Sequence, residues 1–155
     1  MTFYCDLVVL SLTTAGGPGL KLEIICRALD WQLSSLVQIC DSSFLSLFNL
    51  ERLEIRSAFH PGPHWQEDVE NTQWPELLHP FTTVKSLSLS KEFSSLVMPA
   101  LQELSGERMM DMLPVLQSIF LGPQLSRPVE EAVVQFVNAR QLSGHPVAVN
   151  PLGQE

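Results

Sequence analysis

His60 and His64 are four residues apart, the spacing at which two histidines on one helix face can hold a metal ion. Pro61, Gly62 and Pro63 lie between them and break the helix that would align them. His79 precedes Pro80 and His145 precedes Pro146, and neither has other ligand types at metal-binding spacing. Cys5, Cys26 and Cys40 are odd in number and share no close ligand spacing, so they read as core thiols of a reducing compartment rather than a disulfide framework. Cys26 lies in the apolar stretch IICRAL, which suits a small buried residue better than a nucleophile. Gly16, Gly17 and Gly19 surround Pro18 in a turn, without the spaced Gly, Lys and Ser/Thr of a phosphate loop. No serine sits in a G-x-S-x-G elbow. The sequence therefore assigns no catalytic, cofactor-binding or metal-binding residue, and the chain is expected not to be an enzyme and to need no cofactor.

One segment has contact-making chemistry. FHPGPHWQEDVENTQW, residues 59–74, combines Trp65 and Trp74 with the acids Glu67, Asp68 and Glu70. Indoles give large rigid contact areas, and clustered carboxylates select a basic partner. Trp65, Glu67, Asp68, Glu70 and Trp74 are thus the candidate protein-binding residues. The other reading of the same residues is that the two indoles pack over an edge of the core and leave only the acids outside; Leu77 and Leu78 beside Trp74 invite that burial.

The elements that would carry such a segment follow from a recurring pattern. Leu116, Ile119 and Leu121 in MLPVLQSIFL show the spacing most clearly: an apolar residue, another three positions on, and a third two positions later. Leu7/Leu10/Leu12, Leu50/Leu53/Ile55 and Val84/Leu87/Leu89 repeat it. The last step has the period of a strand, and a short strand with one apolar face gains burial by stacking beside its copies. Strands are predicted near 7–12, 36–40, 50–55, 84–89 and 116–121, forming one mostly parallel sheet with helices or loops returning over one face. Helices are predicted over 20–30, after Pro75, over 96–104 with Pro99 near the start, and from Ser126 through Arg140, with Ser126 as cap and Arg140 at the negative dipole end. HPVAVN after Gly144 reads as a final short strand or extended clamp. The fold class is α/β, a short irregular solenoid over residues 1–149, expected to be an N-terminally truncated piece of a larger repeat domain, with 150–155 as a polar tail.

SSLVQIC, FNLERLEI, HWQEDVENTQWPELLHPF with TTVKSLSLSKEF, PALQEL, LPVLQSIFL and VEEAVVQFVNARQLSGHPVAV run in order through most of residues 33–149. In these stretches the chain resembles the C-terminal, leucine-rich-repeat-like region of F-box-like proteins from basidiomycete fungi. The resemblance implies a leucine-rich-repeat-like scaffold for protein recognition, the target-binding part of a ubiquitin-ligase receptor. The F-box helix set that binds the ligase adaptor would precede the repeats, so no adaptor-binding residue is carried over and adaptor binding by this chain is not expected. The chain departs from standard leucine-rich repeats where an Asn or Cys would follow the last strand position by three: Ala58, Glu92 and Gln124 stand there. Strand–helix stacking is expected without that polar ladder. The rival reading is a catalytically inert structural fragment with no partner of its own, and a hydrolase is a distant third.

Composition narrows the partner class. Nine Lys plus Arg against 17 Asp plus Glu give a net charge of −8, which disfavours nucleic acid and anionic membrane surfaces. Charged residues are only 17% and hydrophobic ones 45%, leaving little charge to cover a compact monomer. LVVLSL is too short for a membrane span and has no basic leader, and no Asn-x-Ser/Thr acceptor occurs, so an intracellular location, cytoplasmic or nuclear, is expected.

Overall fold

The computed structural model describes residues 6–14, 20–26, 38, 50–57, 73–104 and 107–152. Their backbone forms one six-stranded sheet in the order β2-β1-β3-β4-β5-β6. The strands are β1 (Asp6–Thr14), β2 (Leu20–Cys26), β3 (Leu50–Ser57), β4 (Ser86–Leu89), β5 (Ser118–Leu121) and β6 (Ala148–Pro151). Four helices are described: α1 (Gln73–Leu78), α2 (Lys91–Glu103), α3 (Glu107–Asp111) and α4 (Arg127–Leu142). Strands β3 to β6 run parallel, and the connection between each successive pair carries helix, as parallel pairing requires of the chain.

The repeated triplets stack in register. Leu53 pairs with Leu87, Leu87 with Ile119 and Ile119 with Val149; Ile55, Leu89 and Leu121 form the next row. Leu50, Val84 and Leu116, the first residues of the triplets, are buried as well. Successive partners are 34, 32 and 30 residues apart. The ladder extends beyond the strands proper, because Lys85 donates its backbone N–H to Glu51 O and Gln117 to Lys85 O at one end, and Ser90 to Ile55 O and Gly122 to Leu89 O at the other. Apolar side chains from β3, β4 and β5 meet Leu77 and Leu78 of α1, Phe93, Val97 and Leu101 of α2, and Val129, Val133 and Phe136 of α4 in one core.

Several expectations are corrected. The stretch 20–30, expected to be helical on the spacing of Leu22, Ile25 and Leu29, contains β2, which forms an antiparallel hairpin with β1. LKLEIIC alternates apolar and polar residues at its start and carries two β-branched isoleucines, and that period wins over the three-residue spacing. β1 is a strand as expected, yet it runs antiparallel to β3 as well, so the parallel part of the sheet is the four strands β3 to β6. Of the expected strand 36–40 only Gln38 is among the described residues, and its backbone is helical. Helix α2 starts at Lys91 rather than Leu96, which puts Pro99 inside the helix. Ser126 holds the cap position of α4, but its side chain makes no capping hydrogen bond. Strand β6 continues through Pro151 into the expected tail, and Leu152 N donates to Leu121 O at 2.7 Å.

Candidate recognition surface

With helices over one face of the four parallel strands, the side chains at alternate positions form the other. The register gives two rows there: Arg52, Ser86, Ser118 and Ala148; then Glu54, Ser88, Phe120 and Asn150. In β4 and β5 the alternation is strict, with Ser86, Ser88, Ser118 and Phe120 half-buried and Leu87, Leu89, Ile119 and Leu121 buried. Sequence patterning causes most of this: SLSL places leucine only at the core positions, and SIFL places Ile119 and Leu121 there while turning Phe120 to the opposite face.

The face is mostly polar, and hydrogen bonds and ion pairs cross it. Ser86 and Ser118 share a hydrogen bond of 2.9 Å between their hydroxyls, spanning β4 and β5. Arg56 and Glu54 form an ion pair along β3. At one end of the face Lys85 Nζ meets Glu51 Oε1 at 2.6 Å, and Thr83 Oγ1 donates to Leu50 O at 2.9 Å, tying the approach to β4 onto β3. Exposed pairs of this kind contribute about 0–1 kcal/mol each, so their consequence is alternating charge on the surface more than stability. Phe120 is the one aromatic residue in the two rows, set between Ser88 and Asn150. Its ring is half-buried there.

Of the candidate residues read from the sequence, Trp65, Glu67, Asp68 and Glu70 lie outside the described residues. Trp74 is placed in the core: it is 1% exposed and its ring meets Phe93 edge-on with centroids 5.7 Å apart. Burial beside Leu77 and Leu78 is therefore the reading that holds for Trp74, which offers no surface to a partner. His79 is exposed and shares a cleft of about 370 Å³ with Glu103, Arg108 and Asp111 on the helical side. Among the described residues no group of three or more His, Cys, Asp or Glu is arranged to hold a metal ion. No described helix is long and apolar enough to cross a membrane.

Arg140 is a residue whose role sequence reasoning missed. Its position near the end of α4 suggests a solvent-facing cation at the helix dipole, but it is fully buried. Nη2 lies 3.2 Å from Leu113 O, 3.4 Å from Pro114 O and 3.3 Å from Leu116 O, and Nη1 lies 3.8 Å from the Met110 sulfur. Its partners are carbonyls and a thioether rather than a carboxylate, and burial holds its pKa below the ordinary guanidinium value. The turn it fastens contains Leu113 in the left-handed region at φ 50° and leads directly into β5. Arg140 thus stabilises the approach to Ser118 and Phe120, satisfying turn carbonyls from the neighbouring helix.

In comparison with known proteins, no family model, no curated protein and no solved structure matches this chain.

Proposed function

We propose that the chain is a protein-recognition scaffold, built as a short leucine-rich-repeat-like array, and that it binds a protein partner on the open face of its parallel sheet. The observation that carries this reading is the division of β4 and β5 into a fully buried apolar row under the helices and a half-buried Ser/Phe row on the opposite face, in register with Arg52, Glu54 and Asn150. A rigid array of short parallel strands presents such side chains at fixed spacing, which lowers the entropy cost of binding. Trp65, Glu67, Asp68 and Glu70, which follow β3 in the sequence, extend the same proposal toward a partner with basic groups. The resemblance to F-box-like proteins carries the narrower proposal that this partner is a ubiquitin-ligase target.

Affinity capture from lysate followed by binding measurements on the purified partner tests the reading. Ser88→Arg blocks the open face, and a fourfold variant of Trp65, Glu67, Asp68 and Glu70 to alanine removes the loop chemistry. Loss of binding with Ser88→Arg is expected, with a further salt-sensitive loss from the loop variant. A partner that binds both variants like the unaltered chain overturns the proposal.

A further inference from the structure

The row Leu53, Leu87, Ile119 and Val149 runs across the helix-covered face of the sheet. Its first three members are 0% exposed, whereas Val149 is 42% exposed. The same break occurs among the helices. A shift of 36 residues lays the core stripe of α4, Val129, Ala132, Val133 and Phe136, on Phe93, Leu96, Val97 and Ala100 of α2. α2 buries a further stripe, Ser94 and Met98, and the next residue on that stripe, Gln102, donates from Nε2 to Gln135 Oε1 of α4 at 2.6 Å. That side of α2 is the side α4 covers. The equivalent stripe on α4 is Glu130, Val134 and Asn138, and Val134 is 57% exposed. With Leu125, Val137 and Val149 these residues line an apolar groove of about 370 Å³.

The cover that fits this groove is another helix-and-strand pair like α4 and β6, and a second copy of the chain supplies one. We propose that the chain forms a two-fold homodimer in which α4 packs on α4 and the free edge of β6 meets β6. A two-fold contact uses the same patch on both subunits, so the patch must complement itself. Val134 is central in α4 (Arg127–Leu142), so antiparallel helices crossing there bring Val134 onto Val134. Glu130 then faces Asn138 of the second copy rather than its Glu130. The strand edge is also self-complementary. Ala148 and Leu152 donate their N–H groups to Gln117 O, just before β5, and to Leu121 O of β5, so Val149 turns its N–H and C=O to the other edge, where no described strand pairs with β6. Antiparallel pairing about Val149 joins each N–H to the other copy's C=O. Pro151, also turned to that edge, lacks a donor and so leaves no N–H unpaired there.

Sedimentation equilibrium on the full chain tests this. The expected mass is twice that of the monomer. Val134→Glu and Asn138→Glu should each raise the dimer dissociation constant at least about 100-fold, since like charges facing each other across an interface cost several kcal/mol. Val134 and Asn138 are exposed, so both variants should keep the far-ultraviolet circular dichroism of the unaltered chain, and should melt lower only at concentrations where the unaltered chain is dimeric. Val115→Glu, a change at a 43% exposed valine outside the groove, should leave the dimer intact. A monomer at all concentrations overturns the proposal, as does equal sensitivity to Val115→Glu and Val134→Glu. A mass that keeps growing with concentration replaces the two-fold contact by head-to-tail stacking of β6 on the β2 edge. A monomer that binds a different protein through Val134 gives the groove to that protein instead.

Discussion

Replacing Arg140 by methionine tests whether a buried cation holds the entry to β5. The variant keeps an unbranched apolar stem in place and removes the guanidinium. Nη2 has two hydrogens for three carbonyls at 3.2–3.4 Å, so two good hydrogen bonds are available at any moment. Hydrogen bonds from a charged donor contribute about 1.5–3 kcal/mol each, a gross loss of about 3–6 kcal/mol. Against this, removing a buried charge without a carboxylate partner recovers part of a desolvation penalty of several kcal/mol, consistent with its lowered pKa. The carbonyls left behind remain buried under α4, so the net expectation is a destabilisation of about 2–4 kcal/mol. Urea unfolding reads this as a midpoint lowered by about 1–2 M at an m-value of about 2 kcal/mol/M. Arg140→Lys should fall between the two, because an ammonium lacks the planar fork. An unchanged or raised midpoint for Arg140→Met would show instead that the turn holds itself without the guanidinium.

Leu87→Ala and Ile119→Ala remove side chains that are 0% exposed and should each cost about 2–5 kcal/mol in the same urea assay; neutral effects at both would place them outside the core. Gly122→Ala would bring a Cβ to 2.5 Å from the backbone nitrogen of Lys91, and because backbone cannot swing aside, a loss of about 1–3 kcal/mol is expected in thermal or urea unfolding. Pro99→Ala should instead raise the melting temperature, since a proline inside a helix costs about 3 kcal/mol and only part of that is offset by lost packing at its half-buried ring. A lowered melting temperature would show that the ring's contacts outweigh the missing hydrogen bond.

The triplets at 50–55, 84–89 and 116–121 were legible because their burial is set by local alternation: each leucine or isoleucine enters the core from its own strand, and the three strands align. The last strand was legible as well, since Gly144 at φ 79° ends α4 and releases HPVAVN to pair with β5. Strand β2 was misread because Leu22 and Ile25 satisfy helical spacing while LKLEI also satisfies strand alternation, and the pairing partner that decides between them is β1. Trp74 carried two readings in the sequence, and the neighbour that settles it, Phe93, is 19 residues away. Arg140 was illegible for a related reason: its partners lie 24–27 residues earlier in a turn whose carbonyls no sequence pattern marks. The Ser/Phe face was implicit in SLSL and SIFL, but without the register nothing aligns Ser86 with Ser118 or places Phe120 beside Ser88.

Binding of a protein partner on the open face of the parallel sheet is separable from binding on the helical side by arginine substitutions on opposite faces. Ser88 lies on the open face, whereas Ser95 is exposed on α2, with its Oγ donating to Lys91 O at 3.3 Å. The measurement is the dissociation constant of the captured partner for Ser88→Arg and Ser95→Arg, each first shown to melt like the unaltered chain. Ser88→Arg is expected to weaken binding by about 10-fold or more, the size of a steric and desolvation penalty of about 1.4 kcal/mol, while Ser95→Arg leaves it unchanged. Binding that survives Ser88→Arg and is lost with Ser95→Arg would contradict the claim and move recognition to the helical side.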